Sequence, residues 1–105
     1  MIARIAYSDP VDAETAATQK ENFVQRFKPV LAKQPGLLGG FWLEDETGRH
    51  VSLTFWESKQ AMEEGGRDAS ATPLIEGMRQ EQLPKHTSID VFEVIDRIEM
   101  TGVRS

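Results

Sequence analysis

Residues 37–57 read LLGGFWLEDETGRHVSLTFWE and run straight into SKQAM at 58–62. The first arm of this stretch, Leu37 to Glu44, sets Leu37, Gly39, Phe41 and Leu43 against Leu38, Gly40, Trp42 and Glu44, because successive side chains of a strand point to opposite faces. The second arm alternates more cleanly, with Val51, Leu53 and Phe55 opposed to Ser52, Thr54 and Trp56. Asp45-Glu46-Thr47-Gly48 joins the arms, and Gly48 can take the positive φ that a short hairpin loop requires. Large apolar side chains stand on both faces of both arms, so the sheet is expected to be covered on two sides. A chain of 105 residues has helices enough for one of them. A second copy of the chain is the simplest cover for the other, which makes a homodimer the expected assembly.

Outward from the hairpin, the chain reads as alternating strands and helices. Met1 to Ser8 looks like a first strand, ended by the turn Asp9-Pro10. The spacing of Ala16, Phe23, Val24, Phe27, Val30 and Leu31 predicts a one-sided helix from about Asp12 to Lys33. Asp12 serves as its N-cap, Glu14 sits where the helix dipole favours negative charge, and Pro29 should kink it or start a new turn. Pro35-Gly36 stops the helix and turns the chain into the hairpin.

Ser58 is positioned to cap a helix of about three turns through Ala61, Met62 and Ala69, weakened by Gly65-Gly66. Thr72-Pro73 signals a second start, for a helix carrying Leu74, Ile75, Met78 and Leu83 and ended by Pro84. His86 to about Ile98 reads as the last strand, with a shift of phase between Val91 and Phe92 that a bulge, or apolar burial on both faces, would explain. Gly39-Gly40 within a strand points to a bulge or a subunit contact rather than a ligand. The order is β-α-β-β-α-β, an α+β ferredoxin-like arrangement with an antiparallel sheet and helices on one face. Residues 1–105 are expected to form one domain.

Composition narrows the functions available. A net charge of −5 and a pI near 5.0, with twelve Lys and Arg scattered along the chain, argue against a nucleic-acid partner. There is no cysteine, which excludes disulfides, thiolate metal sites and cysteine nucleophiles. Neither a secretion-signal order nor an apolar run of membrane-spanning length is present, so no membrane partner and a cytoplasmic location are expected.

The order MIARI, a long helix, QPGLLGGFWLEDE, then VSLTFWESKQAM resembles the antibiotic-biosynthesis-monooxygenase-like family of dimeric α/β barrels. The resemblance covers nearly the whole chain and is strongest from Gln34 to Met62, notably at Pro35-Gly36 and Phe55-Trp56-Glu57-Ser58. It implies two ferredoxin-like subunits packed sheet to sheet. Members include quinone-forming oxygenases that use no cofactor and haem-degrading enzymes. The haem-degrading members rely on an asparagine near the end of the first strand, a tryptophan on the helix after the Trp-x-Ser motif and a histidine iron ligand. The corresponding positions here are Tyr7, about Gly65, and Leu74, Ile75 or Glu76, which argues against haem degradation.

For a cofactor-free oxygenase, the resemblance implies a pocket between sheet and helices, polar groups for an enolate oxygen, and a base. On that basis Tyr7 and His86 are the expected catalytic residues, and Trp42, Thr54, Trp56, Met62 and Met78 the expected substrate contacts, with no cofactor and no metal. A small aromatic or polycyclic ligand is the expected substrate; a non-catalytic ligand-binding dimer is the alternative. Each residue has a plainer reading beside it. Trp56 holds the following helix, Trp42 anchors the subunit interface, and Tyr7 is half-buried with its hydroxyl in water. His50 is solvated beside the hairpin turn, Arg4 pairs with Glu93 or Asp90, and Glu44-Asp45-Glu46 is a solvated turn cluster.

Overall fold

The helix starts and turns of this chain are set by single side chains. Asp12 accepts a 2.7 Å hydrogen bond from the backbone N–H of Thr15, and Ser58 accepts one of 3.1 Å from that of Ala61. Each satisfies a donor that a helix start leaves unpaired. At the hairpin tip the Asp45 carboxylate accepts from the Thr47 N–H and hydroxyl and from the Arg49 N–H. These bonds, those to Thr47 foremost, hold its carboxyl below the usual range. Gly48 takes φ +81°, and a Cβ there would strike the Val11 carbonyl.

The computed structural model describes residues 1–74 and 85–98. In chain order these form β1 (Ile2–Ser8), α1 (Ala13–Asn22), a π-helical turn (Phe23–Phe27), α2 (Lys28–Leu31), β2 (Leu37–Glu44), β3 (His50–Trp56), α3 (Lys59–Ala71) and β4 (His86–Glu93). The four strands make one antiparallel sheet in the order β2-β3-β1-β4. This is the ferredoxin-like α+β arrangement that the sequence predicts. The helix expected from Thr72 to Pro84, with Met78, lies outside the described residues beyond Leu74.

The long helix departs from its predicted form. Its middle is a π-helical turn, closed by an N–H of Lys28 that reaches back five residues to the Phe23 carbonyl. The turn comes directly before Pro29, which has no N–H to give. The buried side chains are Ala16, Gln19, Asn22 and Arg26, whereas Val24, assigned to the apolar stripe, is exposed. Phe23, Phe27, Val30 and Leu31 are half-buried. A polar row therefore faces the sheet.

Two bulges break the sheet's regularity. Leu37 pairs with Trp56 and Gly39 with Phe55, so Leu38 is the extra residue of β2. Leu37 thereby joins the face of Trp56, not that of Phe41 as strict alternation would have it. Tyr7 pairs with Ser88 and Ser8 with His86, so Thr87 is the extra residue of β4. No bulge lies between Val91 and Phe92: the register runs unbroken from Ser88 to Glu93, and the change of phase reflects apolar residues on both faces, Val91 on the helix side and Phe92 on the open one.

Residues paired across a ladder share a face. One face carries Ile2, Arg4, Ala6 and Ser8 of β1, Trp42 and Glu44 of β2, Ser52, Thr54 and Trp56 of β3, and Ile89 and Val91 of β4. The helices lie on this side. The other carries Ile5, Tyr7, Phe41, Leu43, Val51, Leu53, Phe55 and Phe92, with Phe41 50%, Leu43 48% and Phe92 52% exposed. This second, open face also holds Ser88 and Asp90 of β4, is otherwise mainly apolar, and is covered by no described helix.

α3 is seated on Trp56, which is 2% exposed and donates its indole N–H to Thr54 Oγ1 at 2.9 Å. A Cβ on Gly65 would overlap the Trp56 ring, while one on Gly66 would meet nothing within 4 Å. Gly65→Ala is therefore expected to lose roughly 1–3 kcal/mol by overpacking, more than the roughly 1 kcal/mol of helix propensity it gains. Gly66→Ala, free of contacts, is expected to stabilise by roughly 0.5–1 kcal/mol. Chemical denaturation of the two variants checks the contrast, and equal effects would disprove the Trp56–Gly65 seat.

Candidate functional site

The side of the sheet facing the helices divides into two halves. Over β2 and β3 it is closed by an aromatic and polar stack. Phe23 lies parallel to Trp42 with ring centroids 4.8 Å apart, and Trp42 in turn meets His50 at 4.1 Å. His50 is 1% exposed, with Nδ1 2.8 Å from Gln19 Oε1 and Nε2 3.1 Å from Glu44 Oε1. Both expectations for this region change. His50 is not solvated but buried under α1, and Trp42 is not on the open face but packed against the helices. The cause is alternation: Trp42, Glu44 and His50 stand on the helix side, and Gln19 comes down to meet the imidazole.

The polar row of the long helix continues past Gln19. Asn22 is fully buried; its Oδ1 accepts from Arg26 Nη1 at 3.4 Å, and its Nδ2 has no partner. Arg26, also buried, donates Nε to the carbonyls of Thr72 and Pro73 at 2.9 and 3.1 Å, tying the π-turn to the end of α3.

Over β1 and β4 the helix side is more open, with Ile89 48% and Val91 44% exposed. Arg4 stands in this half, in a row with Thr54 and Val91. It is half-buried and, among the described residues, makes no hydrogen bond and no ion pair. Glu93, expected to pair with Arg4, instead faces the N-terminal ammonium at 3.4 Å. Burial pushes the Arg4 guanidinium below its ordinary value, though a guanidinium stays charged at any working pH.

His86 joins Arg4 because of the second bulge. With Thr87 inserted, His86 pairs with Ser8 and so falls on the helix side. Partial desolvation, and then the positive charge of Arg4, push its imidazole below 6.5. A histidine in that setting is neutral at pH 7 and able to take a proton.

The expected site residues separate accordingly. His86, Trp42, Thr54 and Trp56 share the helix side of the sheet. Tyr7 does not: it stands on the open face with Val51 and Ser88, its ring 5.3 Å beneath the Arg49 guanidinium. Tyr7 and His86 thus sit on opposite faces of one sheet. Met62 is buried on the sheet-facing side of α3 together with Gly65 and Ala69, and belongs to the core. Met78 lies outside the described residues. Arg4, which sequence reasoning assigns only to a surface ion pair, has one mark in the sequence, a cation between apolar neighbours in a strand, IARIA.

A polar cleft of about 390 Å³ also lies between α1 and the hairpin tip, lined by Ala16, Ala17, Lys20, Glu44 and Glu46 among others. Its walls mix the charged side chains of the hairpin tip and Lys20 with Val11, Ala13, Ala16 and Ala17, and none of the aromatic or basic groups above lines it. The geometry favours the β1–β4 half of the helix side as the candidate site.

The antibiotic biosynthesis monooxygenase family model matches residues 1–64. The chain belongs to that family. No curated protein matches it in sequence. Among solved structures, MhuD, a haem degrader from Mycobacterium tuberculosis with two haems bound in its active site, is 25% identical over 94% of this chain and 100% of that one, with TM-score 0.66. SnoaB, a cofactor-independent oxygenase from Streptomyces nogalater, is 14% identical over 94% and 97%, with TM-score 0.67. The ActVA-Orf6 monooxygenase of Streptomyces coelicolor, in complex with nanaomycin D, is 16% identical over 95% and 92%, with TM-score 0.63. The last two are likenesses of fold.

If His50 serves to clip α1 to the hairpin, His50→Leu leaves the buried Gln19 amide without a partner. It is expected to cost roughly 1–3 kcal/mol, with part recovered in the double variant His50→Leu, Gln19→Leu. Urea unfolding of the four proteins of the cycle measures this. Additive losses would show that the two side chains do not act together.

Proposed function

We propose that the chain is a homodimeric, cofactor-independent monooxygenase that oxidises a small aromatic or polycyclic substrate with dioxygen. Family membership supports the reading, and one observation carries it: with Thr87 inserted opposite Ser8, His86 falls on the same side of the sheet as Arg4, which has no partner among the described residues and whose charge helps keep the imidazole neutral. His86 takes a proton from an activated CH₂ of the substrate, and Arg4 stabilises the enolate oxygen that forms. The carbanion gives its electrons to dioxygen and forms a C–O bond. Protonation of the peroxide by the His86 imidazolium gives a hydroperoxide on a carbon that still bears one hydrogen. Loss of that hydrogen and of hydroxide, together one water, leaves a carbonyl. One oxygen atom of dioxygen enters the product and the other leaves as water.

Haem as the substrate, which the likeness to MhuD raises, fits these residues less well. Where a haem-degrading relative is expected to carry a tryptophan, Gly65 is filled against by Trp56 and leaves no room for a side chain. Leu74 occupies one of the three candidate positions for an iron-ligating histidine; Ile75 and Glu76 lie outside the described residues.

A second copy of the chain is the proposed cover for the open face. Two-sided apolar strands support it, since an exposed patch including Phe41, Leu43 and Phe92 is a liability on an isolated subunit. Packing sheet to sheet would put Tyr7 in the interface and His86 outside it.

Dioxygen uptake with anthrone-like substrates is the expected activity. His86→Gln is expected to lower kcat/KM by roughly a hundredfold or more. Because His86 must be neutral to accept a proton and titrates below 6.5, the rate should be flat at neutral pH and fall only as pH drops below that value. Binding of such compounds with no uptake at any pH would leave a non-catalytic binding protein as the reading. Sedimentation should give about twice the 11.8 kDa chain mass, and Phe41→Glu with Phe92→Glu should give the monomer. A wild-type monomer would remove the sheet-to-sheet assembly.

A further inference from the structure

The indole of Trp56 fixes a hydroxyl next to Arg4. Trp56 is buried and donates its Nε1–H to Thr54 Oγ1 at 2.9 Å. The indole cannot turn away, since its ring fills the space where a Cβ on Gly65 would stand. Thr54 is β-branched, so its Oγ1 has few positions open to it, and the indole N–H selects one. A threonine hydroxyl is one donor and two acceptor lone pairs. With a lone pair taken by the indole, the O–H points elsewhere, and among the described residues it donates to no acceptor.

Arg4 is the direct neighbour of this hydroxyl. Arg4 and Thr54 are paired across β1 and β3 on the helix side, and side chains so opposed start roughly 5 Å apart. Both are half-buried, so neither is sealed from a ligand. Arg4 brings five N–H donors with no acceptor among the described residues, and Glu93, the one carboxylate on the helix side of β4, faces the N-terminal ammonium instead. One row of the sheet therefore presents a cation and an oriented O–H side by side, both without an acceptor. We propose that Thr54 gives its O–H to the same enolate oxygen that Arg4 neutralises, and that Trp56 is a positioning residue acting through it. The proposal rests on the helix side being the substrate site and adds a second, directional donor to it. Arg4, held by no partner, supplies charge; Thr54, held by Trp56, supplies direction. A donor already aimed at the developing oxyanion stabilises it without reorganising.

The absorbance of bound 4-nitrophenol tests this without dioxygen. At a pH where the free phenol is only partly ionised, the wild-type protein should bind it mainly as the yellow phenolate. Thr54→Val should lower the ratio of bound phenolate to phenol roughly tenfold, and Thr54→Ser should keep most of it. Trp56→Phe leaves the hydroxyl but frees it to turn, and should fall between the two. Because Thr54→Val strands the indole N–H, the double variant Thr54→Val, Trp56→Phe removes both ends of the bond and should show the same loss without that strain. In the uptake assay Thr54→Val should lower kcat roughly a hundredfold and leave the pH profile of His86 in place, since β1 lies between their strands. No binding of nitrophenol, a phenolate ratio or a kcat that Thr54→Val leaves unchanged, or a loss in Thr54→Ser as large as in Thr54→Val overturns the proposal. So does a fall in melting temperature for Thr54→Val and Trp56→Phe with the phenolate ratio intact, which would make the pair structural. A phenolate preference lost in Thr54→Val, with no dioxygen uptake by the wild type, would instead overturn the oxygenase reading and leave the two-donor site standing.

Discussion

A strand turns successive side chains to opposite faces, so one inserted residue moves everything beyond it from one side of a sheet to the other. This chain uses that constraint twice. Leu38 in β2 and Thr87 in β4 are each the extra residue of a bulge. The first brings Leu37 under the helices and leaves Leu38 outside. The second brings His86 into the field of Arg4. Without it, continued alternation from Ser88 would place His86 on the open face with Tyr7, and the helix side would hold a cation and no base. Bulges that re-aim a side chain beside a site are a known use of the irregularity. Here one decides whether the candidate chemistry exists at all.

The same sheet serves two purposes that must not mix. One face is mainly apolar, interrupted on β4 by Ser88 and Asp90, and suited to burial against another apolar surface. The other is a mosaic of aromatic, polar and charged groups under a helix that presents Gln19, Asn22 and Arg26 inward. All three are used within the chain: Gln19 meets His50, Asn22 accepts from Arg26, and Arg26 holds the carbonyls of Thr72 and Pro73. A helix that buries polar side chains forgoes hydrophobic stabilisation. The π-turn is consistent with that, since its extra residue per turn re-phases the helix so that Arg26 reaches α3 while Phe23 still covers Trp42.

Much of the frame was legible in the sequence because it rests on local chemistry. Asp12 and Ser58 cap as their side chains dictate, Asp45 and Gly48 build the hairpin tip, and Gly39 lies at a bulge. Trp56 packs under the following helix, as a tryptophan ending a strand before a helix suggests. What escaped the sequence rests on tertiary partners. The apolar stripe of the long helix was read through residues that are half-exposed, because no rule of periodicity anticipates a polar inner face or a π-turn within it. His50 follows a hairpin tip, the place for a solvated histidine, yet Gln19 and Glu44 supply acceptors that make its burial tolerable. Trp42 reads from the sequence as either an interface anchor or a pocket wall, since either face of β2 could meet the helices and alternation alone does not say which.

The pairing of Arg4 with His86 has a consequence that neither residue has alone. A base in an active site is most useful when its proton affinity is low enough to leave it free at neutral pH, and an oxyanion needs positive charge close by. In the proposed site a cation on the same side as the imidazole serves both ends: its charge disfavours the imidazolium in the free protein, and in the complex it attracts the enolate. Proton transfer from substrate to His86 would then create a second cation on that side of the sheet, which is unfavourable, together with an enolate that both cations attract, which is favourable. The net effect favours the transferred state only when the anion is present. Such a site holds its base ready in the resting protein and stabilises charge separation only in the complex, with no group having to move.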